Sequence, residues 1–502
     1  MNSNSKPYKS AGSTDKQKIN RRTALSTSAK VAIGTVVAIG AGVGGYFAGL
    51  QAAPKEVVRT VTAPGVTVTQ PGAVSTVTVE KTVERTITAP ERRPKEVRVA
   101  VFSHYEDVPR KVMAPYFEPR FGVPIVFETV VAAESRDKYI AAHRAGTSPY
   151  DSLELWATTV QEMADRGWLV DLTDWVNRMF GPDRGAIADV WEAATYKGRI
   201  YAVPDKIGCP ILQWNKELLK EAGLDPERPY EWWRIKNSIN EFVEYAKATT
   251  YEEGGVQYWG YVDQWGYEVV VQYAIFVQMF GGKLMDTTKN QPWGEPAMNQ
   301  TPAVEALQWM VDLLHKHKCI DPASLTYNWV FDFLPGYLQG NVAMIITWPF
   351  VTHVSENPEQ SKIVGKTGFA PNFAKETSAS VDGTEFFGVS KFAPNGVEAG
   401  LMWLEHVTSF DMQRRQGLHG VWAPIYKSLL TDPEITKTMY EAPVIRTSYE
   451  YPHSNFWTPD WERWTDILRK EIHAALRQEK TPQQAMDDAA KRIREERETY
   501  TT

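Results

Sequence analysis

The amino-acid sequence predicts an α/β fold for the region that begins at Val97. Three runs rich in β-branched and aromatic residues, at 97–102, 123–130 and 150–156, are typical of β-strands. Stretches with helical character lie between and after these runs, and strands that alternate with helices indicate a mainly parallel sheet with right-handed crossovers. Ligands of such open sheets bind beyond the carboxyl ends of the strands, so the residues that follow each strand are candidates for a site.

Composition limits the classes of function. The 502 residues are enough for two or three domains with substantial cores. A net charge of −6, from 55 basic and 61 acidic residues, gives no reason to expect nucleic-acid binding. The 18 tryptophans indicate either bulky cores or aromatic faces kept for a ligand. Two cysteines, Cys209 and Cys319, do not make a disulfide framework. A single disulfide bond between them is left as an alternative if the protein lies outside the cytoplasm.

Three segments precede the predicted fold. Residues 1–30 hold seven cations and one acid and are expected in the cytoplasm. Residues 31–50 carry no charge and are long enough to span a bilayer core, so they form a transmembrane anchor or a cleaved signal segment. Residues 51–95 are rich in Thr, Val and Pro, which predicts an extended stalk with sites for O-glycosylation, and a strand-forming segment is the alternative.

The run GRIYAVPDKIGCPILQWNKELLKEAGLDP, at residues 198–226, predicts strand, break, strand, helix and stop. The first strand ends at Pro204, and the apolar residues 207–214 form the second. Asn215 is a suitable N-cap for the helix, and Gly223 suits the left-handed residue that follows a helix.

This run resembles the lobe-crossing segment of family 1 extracellular solute-binding proteins, the group of the maltose-binding protein. Other motifs resemble the same family in the same order: DSLELWATTVQEMADRGWLVDLTDWV at 151–176, YNWVFDFLPGYLQGNVAMIITWPF at 327–350 and GTEFFGVSKFAPNGVEAGLMWLEHV at 383–407. Two helical stretches, 429–440 and 481–493, complete the series. The shared order, more than any single motif, makes the resemblance specific.

The resemblance implies the type II periplasmic-binding-protein fold, in which two α/β lobes enclose a ligand cleft at a hinge. Lobe one would comprise residues 96–206 and 386–427, and lobe two residues 207–385 and 428–502. Members of the family capture small molecules outside the cell for an ABC importer, so its permease, served by a separate ATPase subunit, would be the partner. An anchor followed by a stalk resembles archaeal members, which are tethered at the cell surface.

The resemblance also implies where a ligand binds. A sugar presents an apolar C–H face, which aromatic rings cover, and hydroxyls, which carboxylates and amides hold. Positions that match the family's aromatics, or that follow a strand or a crossing beside the cleft, are Tyr105, Glu106, Trp156, Asp205, Trp265, Tyr267, Trp348, Phe350 and Trp464. The alternative for each tryptophan is a place in a core, and for Asp205 a surface carboxylate.

The expected function is that of a substrate-binding subunit, which binds a carbohydrate and delivers it to the permease. Among carbohydrates, an oligosaccharide is the preferred interpretation. Neither catalysis nor a cofactor is expected. No metal site is expected, because His315, His317 and Cys319 lie at the polar end of a helix. One alternative keeps the fold and changes the ligand to a peptide, a polyamine or an anion. Another is a secreted glycosidase, which needs two carboxylates about 5–10 Å apart across a cleft.

Overall fold

The computed structural model of the chain describes residues 93–181, 190–288, 291–454 and 457–499. The predicted cytoplasmic segment, the predicted anchor and nearly all of the predicted stalk lie outside the described residues. Within those four described stretches, no helix is both long enough and apolar enough to cross a membrane.

The strands alternate with helices along the chain. The strands are β1 Val97–Phe102, β2 Ile125–Val130, β3 Ser152–Trp156, β4 Thr195–Tyr196, β5 Arg199–Ile200, β6 Ala202–Lys206, β7 Ile211–Asn215, β8 Tyr251–Glu253, β9 Val256–Val262, β10 Met285–Thr288, β11 Gln291–Pro296, β12 Val342–Thr347, β13 Thr367–Ala370, β14 Ser380–Val381, β15 Glu385–Val389 and β16 His453–Ser454.

The α-helices cover both faces of the sheets. They are α1 Phe117–Phe121, α2 Ala132–Arg144, α3 Ala157–Asp165, α4 Thr173–Phe180, α5 Val190–Ala193, α6 Lys216–Glu221, α7 Ile239–Ala248, α8 Val269–Met279, α9 Thr301–Asp312, α10 Val330–Gln339, α11 Phe350–Ser355, α12 Val397–Val407, α13 Phe410–His419, α14 Ala442–Ser448, α15 Trp461–Leu476 and α16 Pro482–Glu498.

Lobe one is built on a five-stranded sheet with the order β2-β1-β3-β15-β6. Strands β2 and β3 each pair in parallel with β1, while β15 runs antiparallel to both β3 and β6. Because β15 alone opposes the other strands of this sheet, the predicted mainly parallel arrangement is confirmed for lobe one. The carboxyl ends of β1, β2 and β3 therefore meet at one edge of the sheet.

Lobe two is built on a second five-stranded sheet, with the order β13-β7-β12-β9-β8. Here β12 and β9 are parallel, but β7 is antiparallel to both of its neighbours and β8 is antiparallel to β9. The prediction of a mainly parallel sheet is wrong for this lobe. One cause is local: Gly254 and Gly255, with φ of 60° and 78°, form a two-residue turn that folds β8 and β9 into a hairpin.

The crossing run at 198–226 folds nearly as its sequence predicts. The side chain of Asn215 accepts hydrogen bonds from the first turn of α6, and Gly223 has a φ of 74°. The predicted break at Pro204 is wrong, because β6 continues through it to Lys206. The strand tolerates proline since β6 is an edge strand, where a missing N–H leaves no ladder partner unsatisfied.

Each lobe has a hydrophobic core, and lobe two has a further cluster of buried residues around α10 and β12. The core of lobe two gathers the apolar faces of α7, α8, α9, α15 and α16, and the core of lobe one gathers side chains from β1, β3 and α3. Trp457 packs against both cores. Its indole is therefore one of the places where the two lobes touch.

Three connections between the lobes run side by side. The backbone N–H of Gly383 donates to the carbonyl of Gly208 at 2.8 Å, which joins the first connection to the second. The N–H of Ile207 donates to the carbonyl of Ala423 at 3.1 Å, which joins the first connection to the third. The hydroxyl of Tyr449 also donates toward the Gly208 carbonyl, at 2.9 Å. Hydrogen bonds therefore join all three connections between the lobes.

Candidate functional site

The carboxyl edge of the lobe-one sheet carries a row of rings formed by Trp156, Phe102, His104 and Trp422. Trp156 ends β3 and is 40% exposed, and its ring packs edge-on against Phe102 with centroids 5.8 Å apart. The ring of His104 lies 5.6 Å from Phe102 and 5.5 Å from Trp422. This ring row lies where an open sheet of this kind binds its ligand.

A buried ion cluster adjoins the ring row and is centred on Lys206. The Lys206 ammonium contacts Glu154 and lies 2.7 Å from Glu385 Oε2 and 3.2 Å from Asp205 Oδ2. The second oxygen of Glu385, Oε1, lies 3.0 Å from His104 Nε2. We call these five residues the Lys206 cluster. Its carboxylates are compensated by one buried lysine and by the histidine of the ring row.

The members of the Lys206 cluster shift one another's pKa. Burial raises the pKa of Glu154 well above its usual range and raises that of Asp205 to about 7, against the attraction of Lys206. Burial also opposes the ionisation of Glu385, but Lys206 and His104 outweigh it and hold the pKa of Glu385 below its usual range. At neutral pH the cluster therefore presents an ionised Glu385 to the edge of the sheet.

Lobe two contributes aromatic side chains from loops at the ends of β9 and β12. Trp348 follows β12, and its ring centroid lies 6.2 Å from that of Trp329, which precedes α10. A Cβ at position 383 would lie 2.1 Å from Trp348 Cζ3, so Gly383 is what allows this indole to cover the second connection. Tyr267 is 52% exposed, and its backbone N–H donates to Asn328 Oδ1 at 3.1 Å. The aromatic loops are thus tied to one another.

Two carboxylates near Tyr267 lack a close partner. Within the described part of the chain, neither the Glu268 side chain nor the Glu462 side chain makes a hydrogen bond or an ion pair. Burial raises the pKa of Glu268 to about 7 and also raises that of Glu462, although Arg469 attracts both carboxylates. Arg469 itself stacks on Tyr267, with its guanidinium 4.1 Å from the ring centroid. In the described residues, both carboxyl groups therefore lie near Arg469 without a hydrogen bond to it.

An open cavity of about 610 Å³ lies between the lobes on the side of α2 and α3. It is lined by Arg136, Glu162, Asp165 and Arg166 of lobe one and by Trp293, Pro459, Asp460, Glu462, Arg463 and Arg497 of lobe two. Glu162 pairs with Arg136 and Arg166, and Asp460 pairs with Arg497. Much of the charge in this cavity is therefore neutralised within each lobe.

Five of the predicted site residues keep access to solvent. Trp156 and Tyr267 are the most exposed of the aromatic ones, while Trp348 and Phe350 are partly buried. Glu106 accepts a hydrogen bond from Thr129 at the ends of β1 and β2. Among these residues, Trp156 lies on the lobe-one edge and Tyr267 and Trp348 lie on the lobe-two loops. Their contact with a ligand stays a prediction.

The other four predicted site residues are buried and already have partners. The Tyr105 hydroxyl donates to Gln416 at 2.6 Å, and the Trp464 indole N–H donates to Thr458 at 2.6 Å. The Trp265 indole N–H donates to Asp263 at 2.9 Å. Asp205 belongs to the Lys206 cluster and lies neither at the surface nor in the open cleft. These placements favour the core alternative for Trp265 and Trp464, because their rings are enclosed by their own lobe.

The two cysteines and His315 take structural positions. Cys209 and Cys319 are both buried and unpaired, so the bridge that the sequence left open does not form in this structure. His315 contacts the carbonyl of Leu476 through Nε2 at 2.8 Å. In the described parts of the chain, no three His, Cys, Asp or Glu side chains are grouped so that they could hold a metal ion.

The family model for bacterial extracellular solute-binding proteins matches residues 107–413, which is more than half of the 502-residue chain. The chain belongs to this family. The matched region includes the lobe-two sheet, the lobe-one sheet apart from β1, and the first two connections between the lobes. It also contains Trp156 of the ring row and all of the Lys206 cluster except His104.

One curated relative of this solute-binding protein is the probable amino-acid ABC transporter periplasmic-binding protein of Sinorhizobium fredii. The two are 26% identical over 295 residues, which cover 58% of this chain and 62% of the relative. The chain therefore spans less than two thirds of the length of that relative.

Solved structures share the fold. Maltose-bound MalE3 of T. maritima aligns with a TM-score of 0.66 at 24% identity, over 80% of this chain and 99% of that one. A Thermotoga lettingae solute-binding protein with bound α-D-tagatose gives 0.67 at 22% identity, over 80% and 98%. An Agrobacterium radiobacter K84 protein in complex with ribitol gives 0.66 at 23% identity, over 79% and 98%. The two-lobe architecture of this solute-binding protein is therefore that of these structures.

Sequence reasoning missed the Lys206 cluster apart from Asp205, and it missed Trp329 and Trp422. A signal was present for the cluster: Glu154 and Lys206 are charged residues inside otherwise apolar strands, and such charges need partners. Nothing in the sequence shows that these partners are one another, because Glu154 and Glu385 are far apart along the chain.

Proposed function

We propose that this solute-binding protein binds a polyhydroxylated solute in the cleft between its lobes and delivers it to the permease of an ABC importer. In its finer form the proposal names a carbohydrate, and among carbohydrates an oligosaccharide. The observation that carries it is the combination of exposed rings, Trp156 on lobe one and Tyr267 on lobe two, with hydrogen-bond acceptors that have no close partner. Rings cover the apolar faces of a sugar, and the acceptors receive its hydroxyls.

The ligands of structural neighbours support the chemical class. The three solved structures named above hold maltose, α-D-tagatose and ribitol, all of which are polyhydroxylated and uncharged. Their sequence identity to this chain is too low to transfer a particular ligand. The shared chemistry, a chain of hydroxyls on a carbon skeleton, is what the ring row and the carboxylates of this cleft would recognise.

The solute would be held by closure of the lobes. Each wall of the cleft carries part of the site, so a solute that touches both walls stabilises the closed form over the open one. The connections through Gly208, Gly383 and Ala423 form the hinge. The protein would bind and release its solute unchanged, and the ATP hydrolysis that drives import would belong to a separate ATPase subunit of the importer.

The N-terminal segments fit a protein held at the outer face of the cytoplasmic membrane. In this proposal residues 31–50 are an uncleaved anchor and residues 51–95 are the stalk that lets the lobes reach the permease. The mass of the mature protein tests the anchor. A mass that includes residues 1–50 supports it, and a mass that begins after residue 50 shows a cleaved signal segment instead.

Ligand titration of the full-length protein tests the proposed class. Maltose, maltotriose, trehalose, mannitol and ribitol are added while tryptophan fluorescence and melting temperature are followed. We expect at least one of them to raise the melting temperature in a saturable manner. No response to any of the five would contradict the proposed class.

A second candidate ligand is an amino acid. The relative from Sinorhizobium fredii carries the name of a probable amino-acid transporter component, and the carboxylates of Glu268 and Glu462 would attract an ammonium group. Glycine, L-glutamate, L-lysine and spermidine therefore belong in the same titration. A response to these amines without a response to the five polyols would favour this second candidate.

A further inference from the structure

We propose that His104 and Glu385 form a hydroxyl-binding pair on lobe one, and that Lys206 is a positioning residue that couples this pair to the hinge. The proposal rests on the proposed function, because it names part of the contact by which the cleft would recognise a polyhydroxylated solute. None of these three residues is among those expected from the sequence.

All three connections between the lobes converge at the Lys206 cluster. Lys206 is the last residue of β6, from which the first connection leaves lobe one. Glu385 is the first residue of β15, to which the second connection returns. Trp422 precedes Ala423 of the third connection, and its ring lies 5.5 Å from the Lys206 ammonium. A solute bound at this cluster would therefore lie beside all three segments that form the hinge.

The side chains of the Lys206 cluster differ in their exposure to solvent. Within the Lys206 cluster, the side chains of Lys206, Asp205 and Glu154 are at most 2% exposed. The side chain of His104 is 36% exposed, and that of Glu385 is 13% exposed. A solute can thus reach the histidine and one edge of the glutamate but not the lysine. This arrangement separates the residues that can bind from the residue that holds them.

The His104–Glu385 pair lies beside Trp156. Glu385 and Trp156 are register partners in the adjacent strands β15 and β3, so their side chains leave the sheet on the same face. Phe102 contacts both Trp156 and His104. A sugar ring stacked on Trp156 would therefore place its rim hydroxyls toward the His104–Glu385 pair.

The hydrogen-bonding groups of the His104–Glu385 pair suit a solute with hydroxyl groups. An ionised carboxylate only accepts hydrogen bonds, so the short contact between His104 Nε2 and Glu385 Oε1 requires a proton on Nε2. The other ring nitrogen, Nδ1, is left for a second hydrogen-bond partner. The pair then offers polar atoms on two neighbouring side chains, which suits adjacent hydroxyls of a sugar or a sugar alcohol and gives nothing to an apolar solute.

Lys206 would link binding to closure. Its ammonium contacts Glu385, and both residues stand where their strands turn into the hinge. A hydroxyl bound to Glu385 fixes this carboxylate, and through Lys206 it fixes the end of β6. The open and closed forms would then differ in how well the Lys206–Glu385 contact is maintained, so that solute binding favours one of them.

The experiment uses the full-length protein with a spin label on each lobe. Cysteines at Asp137→Cys of α2 and Lys470→Cys of α15 accept the labels, because both side chains are well exposed. The native cysteines, Cys209 and Cys319, are buried and stay unlabelled. Calorimetry gives the affinity for maltose, maltotriose, trehalose, mannitol and ribitol, and the distance between the labels reports closure. Glu405→Gln, which removes a charge from an ion pair elsewhere on lobe one, is the matched control.

We expect Glu385→Gln and His104→Gln to weaken the affinity for whichever polyol binds by about tenfold or more, with the affinity of Glu405→Gln unchanged. Lys206→Met should reduce the change in label distance at saturating polyol, and Lys206→Arg should restore part of it. Unchanged affinity in both Glu385→Gln and His104→Gln would overturn the binding pair. Full closure by a folded Lys206→Met would overturn the coupling. If no polyol binds to the wild-type protein, the proposed function fails and this inference fails with it.

Discussion

The two walls of the proposed cleft differ in what holds their side chains in place. On lobe one, His104 and Glu385 are fixed by a buried lysine and two buried carboxyl groups. On lobe two, Trp348 and Trp329 are fixed by contact with each other and with the glycine of the second connection. A wall held by buried charge should respond steeply to the loss of one charge, whereas a wall held by aromatic packing should lose affinity in small steps.

The largest effect should come from the charge that holds lobe one. Lys206→Met leaves the carboxyl groups of Glu154, Asp205 and Glu385 without their cation in a buried site. We expect the free energy of unfolding to fall by about 3–5 kcal/mol. Urea unfolding at pH 7 measures it, with Lys216→Met, which disturbs an exposed pair with Glu227, as the control. A loss as small as that of the control would show that the cluster does not stabilise lobe one.

The next effect should come from the exposed ring of lobe one. Trp156→Ala removes the largest apolar surface at the carboxyl edge of the sheet, and we expect it to cost about 2 kcal/mol of binding free energy, or roughly thirtyfold in affinity. Calorimetry with the tightest-binding polyol measures the loss. Phe410→Ala, which removes another exposed ring from lobe one, should leave the affinity unchanged. Equal losses in both variants would argue against a stacking role for Trp156.

A smaller and pH-dependent effect is expected on lobe two. Burial raises the pKa of Glu268 to about 7, above its ordinary value of 4.5. Between these two values the unfolded chain loses this proton before the folded one does, so the ionised carboxylate lowers the free energy of unfolding as the pH rises. Glu268→Gln should therefore match the wild type at pH 4 and exceed its stability by about 1 kcal/mol at pH 8, since the group is only partly buried.

Urea unfolding at both pH values measures the Glu268 effect. Glu244→Gln, at an exposed glutamate of the same lobe, is the control. A stability gain of Glu268→Gln that is the same at pH 4 and pH 8 would contradict a titration of this residue between them.

The smallest effect should come from the flanking ring of lobe two. Trp329 lies beside Trp348 with an angle of 37° between the ring planes, so we expect it to orient the second indole more than to cover a solute itself. Trp329→Ala should weaken polyol affinity about threefold, against a larger loss for Trp348→Ala. Calorimetry ranks the two. A greater loss for Trp329→Ala would reverse the roles of the two rings.

The parts of the fold that local chemistry controls could be predicted from the sequence. Strand β1, the cap at Asn215 and the left-handed Gly223 follow from patterns a few residues long. The antiparallel strands of lobe two could not be predicted in the same way, because β7 pairs with β12 and β13 from far along the chain. One antiparallel pair does have a local signal, because the Gly254-Gly255 turn is typical of a hairpin such as β8–β9.

The candidate site divides along the same line. Exposed rings such as Trp156 and Tyr267 follow strands or lie in loops, so residue type and position pointed to them. The Lys206 cluster depends on three strands that are brought together by the return of β15 from lobe two, and no local pattern carries that information. The same pairing explains why Asp205 lies in the interior, although its neighbours in sequence suggest an open crossing.

The most direct test of the account is the distance between spin labels at positions 137 and 470 in the full-length protein, measured without ligand and with saturating maltose, maltotriose, trehalose, mannitol or ribitol. We expect that a polyol which binds also shortens this distance, because each lobe supplies part of the proposed site and the hinge brings the two walls together. A polyol that binds tightly and leaves the distance unchanged would contradict closure over the solute as the basis of recognition.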